Sequence, residues 1–193
     1  MMNRHWMLLL VGAILVLASH GSVQPLEADN GRVLVTGGGQ GTFGSDLDGD
    51  GDIDGSYFGI AIARGERGDD DDDDGGPAPS SAGHFVCAMW GHTHILGLPL
   101  MAVEGQVVSD SIKWSKKRVT FRGVGTVDLG SGPEELITDV PFKVTVTPGG
   151  PGVGTIQLTV IGAFDGVPGD TIAGNGNYDL PVETVSSGHI TIQ

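Results

Sequence analysis

Five aspartates, Asp46, Asp48, Asp50, Asp52 and Asp54, alternate with other residues, and Gly49 and Gly51 stand among them. A carboxylate at every second position, with glycine to let the chain turn sharply, lets a loop wrap oxygen donors around one hard cation. Ca²⁺ takes roughly six to eight oxygens at about 2.3–2.6 Å, from acidic side chains and backbone carbonyls. These five residues are therefore the candidate metal ligands, and Ca²⁺ is the cofactor their chemistry favours.

Other reactive residue types are present in weaker patterns. Residues 69–74 are consecutive aspartates; adjacent carboxylates point in alternating directions and do not converge on one ion, so a solvated charged loop is expected. His84, Cys87, His92 and His94 are the right types for Zn²⁺, and a secreted metalloenzyme using His84, His92 and His94 is one alternative. His92 and His94 share a side if the chain is extended there. His84 and Cys87, three apart, would face opposite ways. Gly37-Gly38-Gly39-Gln40-Gly41 lacks the Lys-Ser/Thr of a phosphate loop and the spacing of a dinucleotide fingerprint. With neither a G-x-S-x-G elbow nor an H-E-x-x-H pair, no catalytic residues are assigned and a non-enzymatic role is expected. Trp90, Trp114 and Tyr178 suit stacking on sugar faces. They support a second reading: a carbohydrate- or protein-binding adhesion module that does not depend on Ca²⁺.

The bulk composition narrows the partners. With 10 Lys and Arg against 24 Asp and Glu the formal net charge is −14, which excludes nucleic acid, since its phosphates are met by basic side chains. Cations, together with an extracellular protein or glycan, are the expected partners. The 193 residues fit one domain. The N-terminus has the form of a secretory signal: Arg4 and His5, an apolar run over residues 6–17, then Ser19-His20-Gly21. Cleavage is expected after Gly21 or Ala28, making residues 1–28 signal peptide and leader. The apolar run is shorter than the roughly 20 residues of a membrane span, so a secreted or cell-surface protein is expected, with no membrane insertion of the mature chain. Cys87 is the only cysteine, so no intramolecular disulfide helps stability.

The elements that must position the acidic loop are strands. The chain has 34 glycines, and charged residues make up 18%, a balance that favours turns and strands over helices. Phe142, Val144 and Val146 alternate with Lys143, Thr145 and Thr147, and Ile156, Leu158 and Val160 alternate with Gln157 and Thr159. Pro148-Gly149-Gly150-Pro151-Gly152 between them predicts a hairpin. Residues 106–114 and 118–128 read as another antiparallel pair, and residues 32–36, 57–63, 84–90 and 189–192 as further strands. Residues 65–83 read as an acidic insert loop. Residues 162–184 read as a long turn-rich loop with a short strand near Tyr178. The expectation is a single all-β domain over residues 31–193: an antiparallel β-sandwich or partly closed barrel of about eight or nine strands.

Two resemblances add to this reading. In an EF-hand register Asp46, Asp48 and Asp50 take positions 1, 3 and 5, Gly51 the glycine at 6, Asp52 a carbonyl at 7 and Asp54 a carboxylate or bridging water at 9. Tyr57 stands at 12, where an EF-hand has a bidentate Glu, and the flanks are not helical. The pattern D-x-D-x-D-G-x-x-D instead resembles the calcium loops of thrombospondin type 3 repeats and dockerins. Without the twelfth ligand the affinity is expected to be weak, in the roughly 10⁻⁴–10⁻³ M range of extracellular modules. Separately, Val35-Thr36-Gly37-Gly38-Gly39 with Thr42-Phe43-Gly44, then residues 121–127, residues 140–147 with Gly149-Gly150-Pro151-Gly152, and Gly188-His189-Ile190-Thr191-Ile192 follow an order that resembles the post-COAP type of domain. That family occurs in exported bacterial proteins. The resemblance implies an extracellular all-β module without catalytic residues to carry over, in which the acidic loop and the aspartate run are insertions.

Overall fold

A computed structural model of the chain describes residues 33–47, 49, 51–65, 81–90, 102–115, 117–129 and 136–193. Among them there is no helix, and the strands join one antiparallel sheet. The strands are β1 (Val33–Thr42), β2 (Gly55–Arg64), β3 (Ser81–Trp90), β4 (Ala102–Val107), β5 (Lys113–Ser115), β6 (Arg118–Asp128), β7 (Leu136–Thr147), β8 (Thr155–Ile161), β9 (Asn177–Asp179) and β10 (Glu183–Ile192). The expected all-β antiparallel class is what the described residues adopt, with ten strands among them against the expected eight or nine.

The order across the sheet is β10-β1-β2-β3-β4-β6-β7-β8-β9, with β5 on β6. β10 also reaches back to β8 through Glu183↔Ile156 and Thr184↔Thr155, which partly rings the sheet. The turn between β7 and β8 strengthens this contact: Gly149 exchanges both backbone hydrogen bonds with Ile190, and Gly152 and Gly154 bond with Val185. The predicted hairpin of β7 and β8 forms, with Phe142↔Val160 and Val144↔Leu158 in register.

The extra strands arise where the chain bends. Residues 106–114 do not run as one strand against residues 118–128. The ladder breaks after Val108, whose N–H still donates to the Arg122 carbonyl; Ser111 Oγ then accepts the Arg122 N–H and also donates to that carbonyl. It resumes as β5, so one expected strand becomes two. The glycine run 37–39 stays in β1, where β10 closely approaches Gly37 and Gly39. A Cβ on Gly37 would lie 2.9 Å from the His189 carbonyl oxygen. At the other end of the expected acidic insert, β3 starts at Ser81, since Ser81 to Gly83 pair with Arg64 to Ile62.

Inward-facing alternation builds the core. Phe85 meets Phe121 edge-on at 5.9 Å and Phe142 at 5.5 Å between ring centroids. The Phe142 ring needs glycines on β6 and on β4 beyond it: a Cβ on Gly123 would come 2.1 Å from its Cζ, and one on Gly105 would come 2.7 Å from its Cε1. Overpacking of this kind typically costs roughly 1–3 kcal/mol. A Gly123→Ala variant is expected to lose about 2 kcal/mol or more in urea unfolding, and an unchanged midpoint would contradict the cradle.

Candidate functional site

β1 ends at Thr42 opposite Gly55, the first residue of β2, and Thr42 also pairs with Thr184 of β10. Residues 43–54 and the residues leading into β10 therefore emerge at the same end of the ring. The two stretches are close: a Cβ on Gly169 would sit 3.7 Å from Leu47 Cδ1. The described Lys and Arg residues are Arg64, Lys113, Lys117, Arg118, Arg122 and Lys143, and none belongs to either stretch.

The first loop folds around its own aspartates. Asp46 Oδ1 accepts the Gly49 N–H at 2.6 Å and Oδ2 accepts the Gly51 N–H at 2.8 Å. Gly49 and Gly51 have φ of 80° and 104°, the left-handed region that glycine enters without a steric penalty. Asp54 closes the loop from beneath. It is 1% exposed, its Oδ2 accepts the Leu47 N–H at 2.5 Å, and its carbonyl accepts the Phe43 N–H. Asp52 is exposed. Asp48 and Asp50 lie outside the described residues. Each carboxylate oxygen has two lone pairs, so an Asp46 that anchors the loop keeps acceptor capacity on both oxygens. Among the described residues no group of three or more His, Cys, Asp or Glu is arranged to hold a metal ion.

Residues 162–179 form a second acidic loop, which reads from sequence only as a run of turns. Asp165 accepts the N–H groups of Gly174 and Gly176 at 2.6 and 2.9 Å. Asp170 accepts those of Gly166, Ile172 and Asp179. Asp179 takes the Thr159 hydroxyl and the Asn175 amide. The N–H groups of Gly166 and Ile172 are the main reason that the Asp170 carboxyl sits below the usual carboxylate range. A depressed acid contributes order that is present above its ordinary range and is lost as pH falls through its lowered value. The short strand expected near Tyr178 is β9. The ring of Tyr178 is fully buried, its hydroxyl donates to the Pro168 carbonyl, and burial, then Asp170 and Asp54, push the phenol up. It is thus closed to sugar stacking. Trp114 on β5 is 46% exposed.

His84 and Cys87 do not come together. Cys87 faces the core, whereas His84 lies on the outer face, as their spacing on a strand requires. There His84 Nε2 meets Glu104 Oε1 and Nδ1 meets Gln106 Nε2, each at 2.9 Å. With the Gln106 amide as donor, Nδ1 accepts and the Nε2–H donates to the carboxylate. His92 and His94 lie outside the described residues, as does the aspartate run 69–74.

Sequence reasoning missed Glu183. Its carboxyl is buried within the ring, where Ser56 Oγ donates to Oε2 at 2.6 Å. Alternation in Val182-Glu183-Thr184-Val185 carried the signal, because Glu183 shares its phase with the buried Val185.

No protein-family model, no curated protein and no solved structure matches the chain.

The Asp165 anchor has a measurable consequence. In Asp165→Ala, hydrogen exchange at Gly174 and Gly176 is expected to quicken by about tenfold or more, while Phe142 in the core keeps its protection. Unchanged protection at the two glycines would show that Asp165 does not hold the loop.

Proposed function

We propose that the chain is an exported, non-catalytic β module of the cell surface or extracellular space whose loop at residues 46–54 takes up Ca²⁺ for structural reinforcement. The observation that carries this reading is the double capping by Asp46. It folds the alternating-aspartate segment into a turn closed by Gly49 and Gly51, in a loop without a Lys or Arg of its own. Asp46, Asp48, Asp50 and Asp52 would supply the oxygens, and the buried Asp54 secures the loop from the core side. Without a cation, these carboxylates repel one another; with one, the repulsion becomes coordination, so binding adds to stability by mass action. The signal-like N-terminus and the resemblance to post-COAP-type domains support export. The alternative, an adhesion module acting without Ca²⁺ on a glycan or protein, draws on the exposure of Trp114 at the β5 edge.

A thermal melt of the mature chain in EDTA and in about 10 mM Ca²⁺ separates the two. For a dissociation constant of about 10⁻⁴–10⁻³ M, Ca²⁺ adds roughly 1.5–2.7 kcal/mol, a rise of several degrees. The rise is expected to vanish in the double variant Asp48→Ala/Asp50→Ala. Equal midpoints in EDTA and Ca²⁺ would discard the calcium reading and favour the adhesion module.

A further inference from the structure

The residue at which the chain crosses from β8 to β1 carries a buried carboxyl. Glu183 pairs in the backbone with Ile156 of β8, and two residues later Val185 pairs with Gly41 of β1. The side chain of Glu183 extends across β1 to β2. It passes over Gly41, where an added Cβ would lie 2.5 Å from Oε2, and ends on the fully buried Ser56 hydroxyl. It therefore straps β10 to β2 across the intervening strand, at the point where Glu183 and Thr184 pair with β8 and Val185 bonds to Gly152 and Gly154 in the turn before it.

We propose that Glu183 is a proton-operated latch on the β8–β10 seam: protonated, it holds the ring shut, and ionised, it loosens the seam and opens a path to Cys87. The surroundings support this. From β2 it meets the Ser56 hydroxyl and N–H, from β1 the glycine backbone, and from β8 the apolar Ile156. From β3 the titratable group is the Cys87 thiol, itself pushed up by burial and then by Glu183. Asp54, two positions before Ser56, is engaged by the Leu47 N–H. No basic group contributes to the Glu183 balance, in which burial pushes the carboxyl up to about 7 against the two Ser56 hydrogen bonds. An uncompensated buried charge is costly, so ionisation drives the carboxyl toward water and works against the β8–β10 seam on which Glu183 sits. The sign follows from linkage. The closed ring binds the proton more tightly than the open one, so closure is strongest below the ordinary Glu value. It weakens as pH rises through about 7.

Cys87 reports the opening, because it is the only thiol, is buried and interacts with the Ser56 side chain and with Glu183. Labelling with a thiol reagent from about pH 5 to 8 separates two slopes. Thiolate ionisation alone raises the rate about tenfold per pH unit below the ordinary thiol range. Latch release adds a further rise, roughly 40-fold in total between pH 5 and 7, and then levels off. The wild-type protein should therefore show a steep limb that bends to the thiolate slope near pH 7. Glu183→Gln should keep the thiolate slope throughout and label more slowly than wild type at pH 8. Ser56→Ala removes a hydrogen bond that favours the ionised carboxyl, so it should move the bend to higher pH. A wild-type curve with the thiolate slope alone overturns the latch even if neither variant folds, and so does a Glu183→Gln curve with the same steep limb.

Discussion

Residues 177–192 serve two partners, and the ring depends on that division. Their first part lies along β8, through β9 and the Leu180 N–H bonded to the Leu158 carbonyl. Their last part lies along β1 from Thr42 to Val35. A sheet of this length with free edges would present unpaired N–H and C=O groups to any passing strand. By pairing with β8 and then with β1, one segment covers both margins. The turn after β7 adds the Gly149–Ile190 and Gly154–Val185 hydrogen bonds to the same closure.

Closure explains where small residues and acids are placed. Ringed strands approach closely across the interior, so Gly41 must admit the Glu183 side chain, and Gly105 and Gly123 must admit the Phe142 ring. Because β10 starts beside the end of β1, closure also brings the two acidic loops to one end. Each loop is stiffened by aspartates that accept its own N–H groups: Asp46 in the first, Asp165 and Asp170 in the second. The acids thus do structural work before any cation is considered, and a cation would add to loops that are already shaped.

The strands were largely legible in the sequence, because side chains on half-buried strands alternate with period two. The hairpin at Phe142 and Leu158 could be read down to its inward-facing residues, and the acidic loop could be read as a turn. The break at residues 109–112 could not, since it depends on Ser111 bonding to Arg122 across a ladder whose partners are known only after folding. The second loop was hidden for a related reason. Asp165 and Gly174 are nine residues apart, and local turn signals carry no information about such a pairing. Glu183 was legible in phase but overlooked, because a charged residue in a strand is ordinarily placed outside. Only the fold supplies the Ser56 hydroxyl that makes its burial tolerable.

The most direct test of closure by this segment, with Glu183 at its crossing point, is native-state amide exchange followed residue by residue at about pH 5 and pH 8. After correction for the intrinsic chemical rate, Leu180 and Val185 should be as protected as Phe121 at pH 5, exchanging only when the whole ring opens. At pH 8 the two seam amides should lose protection while Phe121 keeps its own. Seam amides that exchange freely at pH 5, or that track Phe121 at both pH values, would contradict the account.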